Sequence, residues 1–560
     1  MSKQPYRIGL ISDFNAQNLA VLLQKNCPAP GAKCVEAPFG QTTQLLLDSS
    51  AEFWSEPCDA VVLWALPQIA VPTFQRVLAC EEFSTDDLLA DVDAFVQLVK
   101  RVPDNVRTIV ASTFVAPGVG RGLGALDMAG NIGVANALMR MNLRLAEQFQ
   151  SDRRIVLLDA QRWISAAGAA AYSSKLWYLS KTPFQPSVFR EAALDILSAL
   201  DGINGRNKKV LILDLDNTLW GGIVGDDGWE KLKIGGHDPV GEAFADFQRS
   251  LKRLTNRGVV LAIVSKNEES VALDAIKRHP EMQLKQENFA GWKINWNDKA
   301  QNITELMAEL NLGLDSAVFL DDSPFERARV RETLPQVFVP DLPADPMDYP
   351  SFLAGLRCFD NPVISAEDRA RTTMYVADRQ RSELKSQGQS LEDWLKLLEL
   401  RVVSETLNEA NLDRAAQLFN KTNQMNLSTR RMTAAELLAW SRQEGHRLWT
   451  FRVADKFGDY GLCGIGSFVN EGGRGRLQDF LLSCRVMGRG VEETMLNIVA
   501  RHAQDAGCGE LYAEYVPTPK NKPCEKWFSN QPKLQRDNGV FRVSLSDPPS
   551  APAHVNVVCA

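Results

Sequence analysis

The chain has 560 residues, of which 45% are hydrophobic and 23% are charged. This length exceeds what one hydrophobic core supports, so we expect about three domains. The formal net charge of −7 leaves no basic footprint and argues against nucleic acid as a partner. No apolar run is long enough to span a bilayer, and the ten cysteines form no metal-type C-x-x-C pair. We therefore expect a cytoplasmic protein with no membrane partner.

The first 205 residues alternate short β-rich runs with helical patterns. RIGLIS, DAVVLWAL, VRTIVAS and RIVLLDA are typical of buried parallel strands, and the segments between them are amphipathic. This alternation predicts a doubly wound α/β domain over residues 1–205. The polar stretch DGINGRNKK that follows predicts a linker.

A second α/β unit is predicted over residues 206–350, with strands at VLILDLD, VVLAIVSK and SAVFLDD. A helical connector over residues 351–385 leads to an α+β domain over residues 386–546. In this last domain a strand and two helices precede several further strands. The Pro-, Ala- and Ser-rich tail, residues 547–560, is predicted to be disordered.

Acidic residues stand at the ends of two predicted strands in the second unit. Asp214 and Asp216 are two residues apart, so they face the same side of a strand, at the edge where open α/β sheets bind ligands. A second acidic pair, Asp321 and Asp322, ends the strand SAVFLDD. Adjacent carboxylates repel each other, and Mg²⁺ is the simplest charge that would hold them together.

A serine and a lysine complete the pattern. Ser265 ends the strand VVLAIVS, and Lys299 opens the helical pattern after NWN. A single such residue could be an ordinary helix cap. Three strand ends with complementary chemistry and one lysine, in this order and within about 110 residues, favour a functional site over ordinary caps.

The runs DLDNT, IVSKN, DK and LDDSP resemble the four motifs of the haloacid dehalogenase (HAD) superfamily of phosphoryl-transfer enzymes. DLDNTLWGGIVGDDG, INWNDKAQNI and FLDDSPFERARVRETLP resemble its FkbH-like branch. Ser323 departs from the pattern, because relatives often carry Asn after the paired aspartates. The segments between Thr218, Ser265 and Lys299 are too short for a large cap domain, so we expect a HAD-like, Rossmannoid domain with an open site.

The resemblance implies a role for each of these residues. Asp214 would be the nucleophile that accepts the phosphoryl group, and Asp216 the acid/base. Thr218 would support the loop, Ser265 would hydrogen-bond the phosphoryl group, and Lys299 would neutralise charge. The implied Mg²⁺ ligands are the Asp214 carboxylate, the Asp216 backbone carbonyl, and Asp321 or Asp322.

A glycine-rich turn in LQDFLLSCRVMGRGVEETMLNIV is the second informative stretch. Arg485, Gly488, Arg489 and Gly490 lie between a predicted strand and a predicted helix, where backbone N–H groups can cradle phosphate. The turn resembles the pyrophosphate-binding turn of GCN5-related N-acetyltransferases (GNAT). In an FkbH-like context, its ligand would be the phosphopantetheine arm of an acyl carrier protein. The alternative is a plain strand-to-helix turn.

Cys484 directly precedes this turn and lies in the SCR run that FkbH-like relatives share. A thiol beside Arg485 and a helix N-terminus would favour its thiolate, which suits an acyl-thioester intermediate. Cys463 is a second candidate, and the alternative for both is a buried, inert side chain.

The N-terminal domain carries ISDFN at its first strand end, which resembles the serine-first block of SGNH hydrolases. The first histidine of the chain is His237, so this domain cannot supply a Ser-His-Asp triad around Ser12. A degenerate SGNH-like domain used for docking is the favoured interpretation.

Two functional hypotheses follow from these resemblances. In the first, the protein converts 1,3-bisphosphoglycerate into a glyceryl thioester on an acyl carrier protein for polyketide-type biosynthesis. In the second, it is a Mg²⁺-dependent phosphatase of another phosphorylated metabolite or sugar, for example in polysaccharide assembly, with the GNAT-like part as acyltransferase or recognition module. A non-catalytic scaffold is disfavoured because every catalytic HAD position is filled.

Overall fold

The structure is a computed structural model that describes residues 5–28, 30–118, 122–236, 238–364, 366–369, 371–385, 391–537 and 539–559. It has two compact units, residues 1–201 and 202–560. The division falls near the boundary predicted at residues 205 and 206, whereas the later segments share one unit. The finer domain boundaries stay a prediction. Within the described residues, no helix is both long and apolar enough to cross a bilayer.

The first unit is a parallel sheet flanked by helices. Its strands run in the order β2-β1-β3-β4-β5 and are β1 (Tyr6–Ser12), β2 (Ala32–Glu36), β3 (Ala60–Trp64), β4 (Ile109–Ser112) and β5 (Ile155–Leu158). The helices are α1 (Gln17–Asn26), α2 (Thr42–Leu47), α3 (Pro67–Ala70), α4 (Thr73–Leu78), α5 (Thr85–Lys100), α6 (Val134–Phe149), α7 (Ala160–Ala167), α8 (Ser174–Ser180) and α9 (Pro186–Ile203). This doubly wound α/β arrangement agrees with the prediction, while the SGNH likeness stays a prediction. The Ser12 hydroxyl donates to the Phe14 carbonyl at 2.6 Å, as expected of a turn residue.

The second unit begins with another parallel sheet, in the order β8-β7-β6-β9. Its strands are β6 (Val210–Leu213), β7 (Val260–Ser265), β8 (Phe289–Ile294) and β9 (Ala317–Leu320). Its helices are α10 (Val224–Asp227), α11 (Pro239–Asn256), α12 (Glu269–Arg278), α13 (Lys299–Glu309), α14 (Pro324–Thr333) and α15 (Tyr349–Ala354). Strand β8 was not predicted, because its run FAGWKI mixes apolar and polar residues, and two of its six residues are only half-buried.

Strand β6 explains how this sheet is held. Its four residues are fully buried, and alternate side chains enter different apolar clusters. Leu211 and Leu213 pack with α11 residues on one face, whereas Val210 and Ile212 pack with α13 residues on the other. Burial on both faces is typical of a central parallel strand and fixes the position of the residues that follow it.

The rest of the second unit contains a mixed sheet in the order β16-β17-β15-β14-β13-β12-β10-β18, with β11 paired to β14. The helices are α16 (Ala366–Arg369), α17 (Arg371–Lys385), α18 (Leu391–Leu397), α19 (Glu409–Lys421), α20 (Ala434–Ser441), α21 (Val491–Asp505) and α22 (Lys522–Ser529). The strands are β10 (Arg401–Thr406), β11 (Met425–Asn426), β12 (His446–Asp455), β13 (Gly458–Asn470), β14 (Arg474–Leu482), β15 (Glu510–Glu514), β16 (Gln535–Asp537), β17 (Val540–Ser544) and β18 (Asn556–Cys559). The predicted α+β order agrees with these elements.

The C-terminal tail corrects one prediction. Residues 547–560 were expected to be disordered, but β18 pairs in parallel with β10, from Asn556 opposite Arg401 to Cys559 opposite Ser404. Val555 is buried and Val557 packs against the same core. The apolar residues of this short run and the otherwise unpaired edge of β10 outweigh the Pro-, Ala- and Ser-rich composition before it.

Candidate active site

The predicted acidic residues meet at the carboxyl edge of the β6–β9 sheet. Asp214 follows β6 directly, and its N–H donates to the Leu320 carbonyl at 3.0 Å, which continues the pairing with β9. Asp321 follows β9, so the parallel register places it beside Asp214. Asp214 is 7% exposed and Asp321 is fully buried. The backbone of two neighbouring strands therefore imposes the closeness of these carboxylates.

Lys299 joins the two buried carboxylates. Its Nζ lies 2.6 Å from Asp321 Oδ2 and 3.1 Å from Asp214 Oδ2, and the residue is 3% exposed. It is the first residue of α13, where the Asp298 side chain caps the helix by accepting the Ala300 and Gln301 N–H groups. The cap fixes the start of the helix and thereby the origin of the lysine side chain.

One ammonium group between two carboxylates leaves net negative charge. Burial acts to lower the pKa of Lys299, but Asp214 and Asp321 outweigh it, so that the pKa is raised and the lysine stays charged. Burial, reinforced by the charge of Asp214, also raises the pKa of Asp321 to about 6. Both shifts arise because the negative charge of this buried cluster exceeds its positive charge. A further cation bound to the cluster would offset the repulsion between the carboxylates.

Asp322 completes a carboxylate cluster with the chemistry of a Mg²⁺ site. Asp214, Asp321 and Asp322 each offer a carboxylate oxygen, and these oxygens lie within 4.8 Å of one another. Oxygen ligands of this charge and compactness fit Mg²⁺. The cluster uses both residues of the second predicted pair. The Asp216 carboxylate is not part of it, and the metal role predicted for Asp216, through its backbone carbonyl, stays a prediction.

Thr218 ties the two acidic loops together. Its Oγ1 accepts the Asp322 N–H at 2.9 Å and donates to Asp322 Oδ1 at 3.3 Å. Between Asp216 and Thr218, Asn217 adopts a positive φ of 55°, a left-handed conformation that asparagine tolerates better than most residues. This contact fits the loop-supporting role predicted for Thr218.

The Asp216 carboxylate is separate from the carboxylate cluster and accepts hydrogen bonds from three other residues. Its Oδ1 accepts Trp220 Nε1–H at 2.9 Å and the Val224 N–H at 3.1 Å, while Oδ2 accepts Asn267 Nδ2 at 2.8 Å. Burial raises the pKa of Asp216, and the charge of Asp214 adds to this effect, although the donors oppose it. A raised pKa makes the carboxyl group hold its proton more readily, which suits a group that gives and takes protons.

Trp220 and Asn267 are site residues that the sequence analysis did not assign. Both lie inside motifs that it quoted, DLDNTLW and IVSKN, four residues after Asp216 and two after Ser265. Ser265 itself ends β7 and is buried, and its carbonyl accepts the Asn295 N–H at 3.1 Å. The structure thus brings together Asp214, Asp216, Thr218, Ser265, Lys299, Asp321 and Asp322 at one edge of the sheet.

The segments around this edge are short. Over residues 214–236 and 238–299 the structure adds α10, α11, α12, β8 and brief 3₁₀ turns, and none of these forms a separate cap domain. Over these residues the expectation that there is no large cap domain is confirmed, while the openness of the site stays a prediction.

The predicted phosphate cradle near β14 differs in the structure. The Gly488 N–H donates to Glu492 Oε1 at 2.8 Å, and Glu492 is 2% exposed. His554 Nε2 lies 2.9 Å from the Arg489 carbonyl, and Pro552 and His554 crowd Gly490, where an added Cβ would meet His554 Nε2 at 2.8 Å. The chain's own carboxylate and tail residues therefore occupy the turn, and phosphate binding at Arg485, Gly488, Arg489 and Gly490 stays a prediction.

The arginines of the turn point elsewhere as well. The buried Arg485 guanidinium donates to Ser483 Oγ at 3.1 Å and to the sulfur of Met374 at 2.7 Å. Arg489 hydrogen-bonds the Tyr460 hydroxyl and lies 3.8 Å from Asp455. Both side chains serve internal contacts of this unit.

Cys484 is half-buried and lies far from the carboxylates. Its carbonyl accepts Asn311 Nδ2 at 2.6 Å, and Asn311 follows the end of α13, the helix that Lys299 begins. The 11 residues of α13 span about 16 Å. Cys463 is fully buried, and its Sγ donates to the Tyr460 carbonyl at 3.2 Å. The structure therefore does not bring either thiol to the acidic site, contrary to the position expected for a thioester relay.

Comparison with known proteins finds a similar phosphatase domain among solved structures. No protein-family model matches the chain, and no curated protein matches it. The crystal structure of the N-terminal part of protein BF1531 from Bacteroides fragilis, which contains a phosphatase domain complexed with Mg, is 29% identical. The match covers 65% of this chain and 96% of that chain, with a TM-score of 0.60.

Two acetyltransferases match a smaller part of the chain. A putative GNAT-family acetyltransferase from Desulfovibrio desulfuricans is 15% identical over 26% of this chain and 99% of its own, with a TM-score of 0.20. A mutant spermidine N-acetyltransferase from Vibrio cholerae is 15% identical over 26% of this chain and 94% of its own, also with a TM-score of 0.20. Similarity at this level supports no conclusion about the function of this chain.

Proposed function

We propose that the protein is a Mg²⁺-dependent phosphatase of the HAD type, with Asp214 as the phosphoryl acceptor. The observation that carries the proposal is a cluster of three carboxylates with a buried lysine. The carboxylate oxygens of Asp214, Asp321 and Asp322 lie within 4.8 Å of one another, and Lys299 Nζ lies 3.1 Å from Asp214 Oδ2. Similarity to a phosphatase domain complexed with Mg supports it. A Mg²⁺ ion held by Asp214, Asp321 and Asp322 would supply positive charge opposite the phosphoryl oxygens.

The first half of the proposed reaction uses both aspartates of the DLDNT motif. An Asp214 carboxylate oxygen attacks phosphorus, and the bond from phosphorus to the leaving oxygen breaks. Asp216 in its protonated form gives its proton to that oxygen, so the leaving group departs neutral. Lys299 stabilises the charge on Asp214 and on the phosphoryl oxygens throughout the transfer.

The second half restores the enzyme. Asp216, now ionised, removes a proton from a water molecule, and the water oxygen attacks phosphorus of the aspartyl phosphate. The bond between phosphorus and Asp214 breaks, and inorganic phosphate leaves. Trp220 and Asn267 keep the Asp216 carboxylate in place for both proton transfers, since their donors bind both of its oxygens.

In its finer form, the proposal names 1,3-bisphosphoglycerate as the three-carbon donor and a carrier protein as the acceptor, as FkbH-like resemblance implies. The phosphopantetheine thiolate of the acyl carrier protein attacks the acyl carbon, the C–O bond to the 1-phosphate breaks, and that phosphate leaves. Hydrolysis of the remaining 3-phosphate ester at the HAD-type site releases a second phosphate, and a glyceryl thioester for polyketide-type biosynthesis remains on the carrier protein. The open site favours a substrate delivered by a large partner. The distance of about one helix length between Lys299 and the contact of Cys484 favours direct attack over a Cys484 relay.

The alternative is a Mg²⁺-dependent phosphatase acting on another phosphorylated metabolite or sugar. Under this alternative the GNAT-like segment acts as an acyltransferase or recognition module. Within this alternative, the self-filled turn at Gly488 favours a recognition module over an acyltransferase, because it leaves the proposed phosphate cradle closed.

Phosphate release from acetyl phosphate, with and without Mg²⁺, tests the coarse proposal. Asp214→Asn should abolish release, whereas Asp246→Asn, which alters an exposed carboxylate on α11, should retain it. Release that survives Asp214→Asn would exclude Asp214 as the nucleophile.

Mass spectrometry tests the finer proposal, with 1,3-bisphosphoglycerate, Mg²⁺ and a phosphopantetheinylated carrier protein. A glyceryl adduct on the carrier is expected with wild type and with Cys484→Ala. Phosphate release without an adduct would favour the alternative, and an adduct that depends on Cys484 would restore the relay.

A further inference from the structure

The cations bordering the candidate site differ in how far they are committed to internal partners. Lys299 is shared between Asp214 and Asp321. The buried Arg327 donates from Nη1 to the Asp321 and Asp322 carbonyls, both at 2.7 Å. These side chains hold the acidic loops together, so neither is available to a second anionic group on a substrate.

Lys266 is placed differently. It follows Ser265 at the end of β7 and precedes Asn267, the donor to Asp216. Its Nζ forms an ion pair of 2.7 Å with Glu326 Oε1 on α14, and the lysine side chain is 36% exposed. Strand β6 lies between β7 and β9 in the sheet, so the pair links loops on opposite sides of the strand that carries Asp214.

From this placement we propose that Lys266 binds a second anionic group of the substrate, in exchange for Glu326. The inference rests on the proposed phosphatase function and deepens it. The substrate class it names is a small phosphate compound with a second phosphate group, as opposed to one with a single anionic group. Lys266 is then a specificity-determining residue.

Electrostatics gives the reason. A second anionic group near the phosphoryl group would face Asp216, Asp322 and Glu326, and it needs a cation to offset their repulsion. The ion pair of Lys266 with Glu326 is partly exposed, and pairs of this kind contribute little to stability. A doubly charged phosphate forms stronger, charge-assisted hydrogen bonds with an ammonium group than one carboxylate does. Exchange of Glu326 for the substrate group is therefore favourable.

Two acyl phosphates provide a matched comparison. Acetyl phosphate and 1,3-bisphosphoglycerate both carry an acyl phosphate, but only the second compound carries another phosphate. The quantity to measure is the ratio of kcat/KM for 1,3-bisphosphoglycerate to that for acetyl phosphate, with kcat and KM determined separately. Wild type should favour 1,3-bisphosphoglycerate by at least about tenfold, a typical contribution of a charge-assisted contact.

Variants at both ends of the ion pair should move this ratio in opposite directions. Lys266→Ala should lower the kcat/KM ratio about tenfold through a higher KM for 1,3-bisphosphoglycerate. Lys266→Arg should keep most of the ratio, because the guanidinium group also carries a positive charge. Glu326→Gln should raise it, because the internal competitor is removed. Lys277→Ala, at an exposed position on α12, is the control and should leave the ratio unchanged.

An absent preference in wild type would overturn the inference, as would a ratio that Lys266→Ala leaves unchanged. The inference would also be overturned if Lys266→Ala lowered kcat equally for both compounds and left both KM values unchanged. Failure of the proposed phosphatase function has a separate signature, namely phosphate release that persists in Asp214→Asn.

Discussion

Lys299 Nζ and Asp321 Oδ2 lie 2.6 Å apart, and both residues are almost completely removed from solvent. Removing one partner of a buried ion pair leaves the other charge without compensation, at a cost of about 3–5 kcal/mol. We therefore expect Lys299→Met to lower the free energy of unfolding by about 3 kcal/mol in the absence of Mg²⁺ and to abolish phosphate release. Urea denaturation in EDTA measures the first effect.

Lys293→Met is the matched control for this prediction. Lys293 pairs with Glu309 at 2.6 Å, but the glutamate side chain is 58% exposed. Loss of an exposed pair costs at most about 1 kcal/mol. Equal destabilisation by both variants would contradict the account of Lys299 as the charge that holds the acidic cluster together.

The carboxylate cluster predicts that Mg²⁺ stabilises the folded protein. A ligand at 100 times its Kd adds about 2.7 kcal/mol to stability if it binds only the native state. Asp321→Asn and Asp322→Asn each remove one charged ligand from the set of three. We expect thermal unfolding to show a Mg²⁺-dependent rise in Tm for wild type and Asp246→Asn, and a much smaller rise for either site variant. A full rise in both site variants would place the ion elsewhere.

Trp220 offers a test of Asp216 through the pH dependence of the rate. Trp220 Nε1–H donates to Asp216 Oδ1 at 2.9 Å and thereby stabilises the ionised form of this carboxyl group. Trp220→Phe removes the hydrogen bond and should raise the pKa of Asp216 further. The limb of the kcat/KM profile that reports Asp216 should then move to higher pH. Trp292→Phe, whose indole donates to Glu269 instead, is the control. A limb that moves to lower pH, or stays in place, would separate Asp216 from the observed titration.

The acidic site could be predicted from sequence because its position follows from the backbone. Asp214 and Asp321 directly follow two buried parallel strands, and adjacent parallel strands end at the same edge of a sheet. Lys299 could be placed because it opens a capped helix. The pairing of Asp216 with Trp220 and Asn267 was not predicted, since it depends on how two loops fold onto each other.

The C-terminal turn shows where a local pattern is insufficient. The run SCRVMGRGVE is compatible with a phosphate cradle, yet Glu492 lies four residues after Gly488 and reaches its N–H first. The tail residues that cover Gly490 are more than 60 positions away along the chain, and their contact depends on the pairing of β18 with β10. Such long-range pairing leaves no signal in a window around the turn.

Glu492 makes the stability of the protein depend on pH. Burial raises the pKa of its carboxyl group from 4.5 to about 7, against the opposing hydrogen bond from the Gly488 N–H. Below pH 4.5 the group is protonated in both the folded and the unfolded chain. As the pH rises toward 7 the unfolded chain loses the proton while the folded chain retains it, so the free energy of unfolding falls. The loss is complete above pH 7 and amounts to about 3 kcal/mol.

Glu492→Gln keeps an oxygen that can accept the Gly488 N–H but cannot ionise. We expect its unfolding free energy, relative to wild type, to increase between about pH 4.5 and 7 and to remain constant above that range. Subtracting wild type removes the contribution of other buried groups, such as Lys421, whose pKa burial lowers to about 7. Glu493→Gln, at the half-buried neighbouring position that accepts Trp527 Nε1–H, is the matched control. Urea denaturation at several pH values measures the difference, and a difference that does not vary with pH would show that folding does not raise the pKa of Glu492.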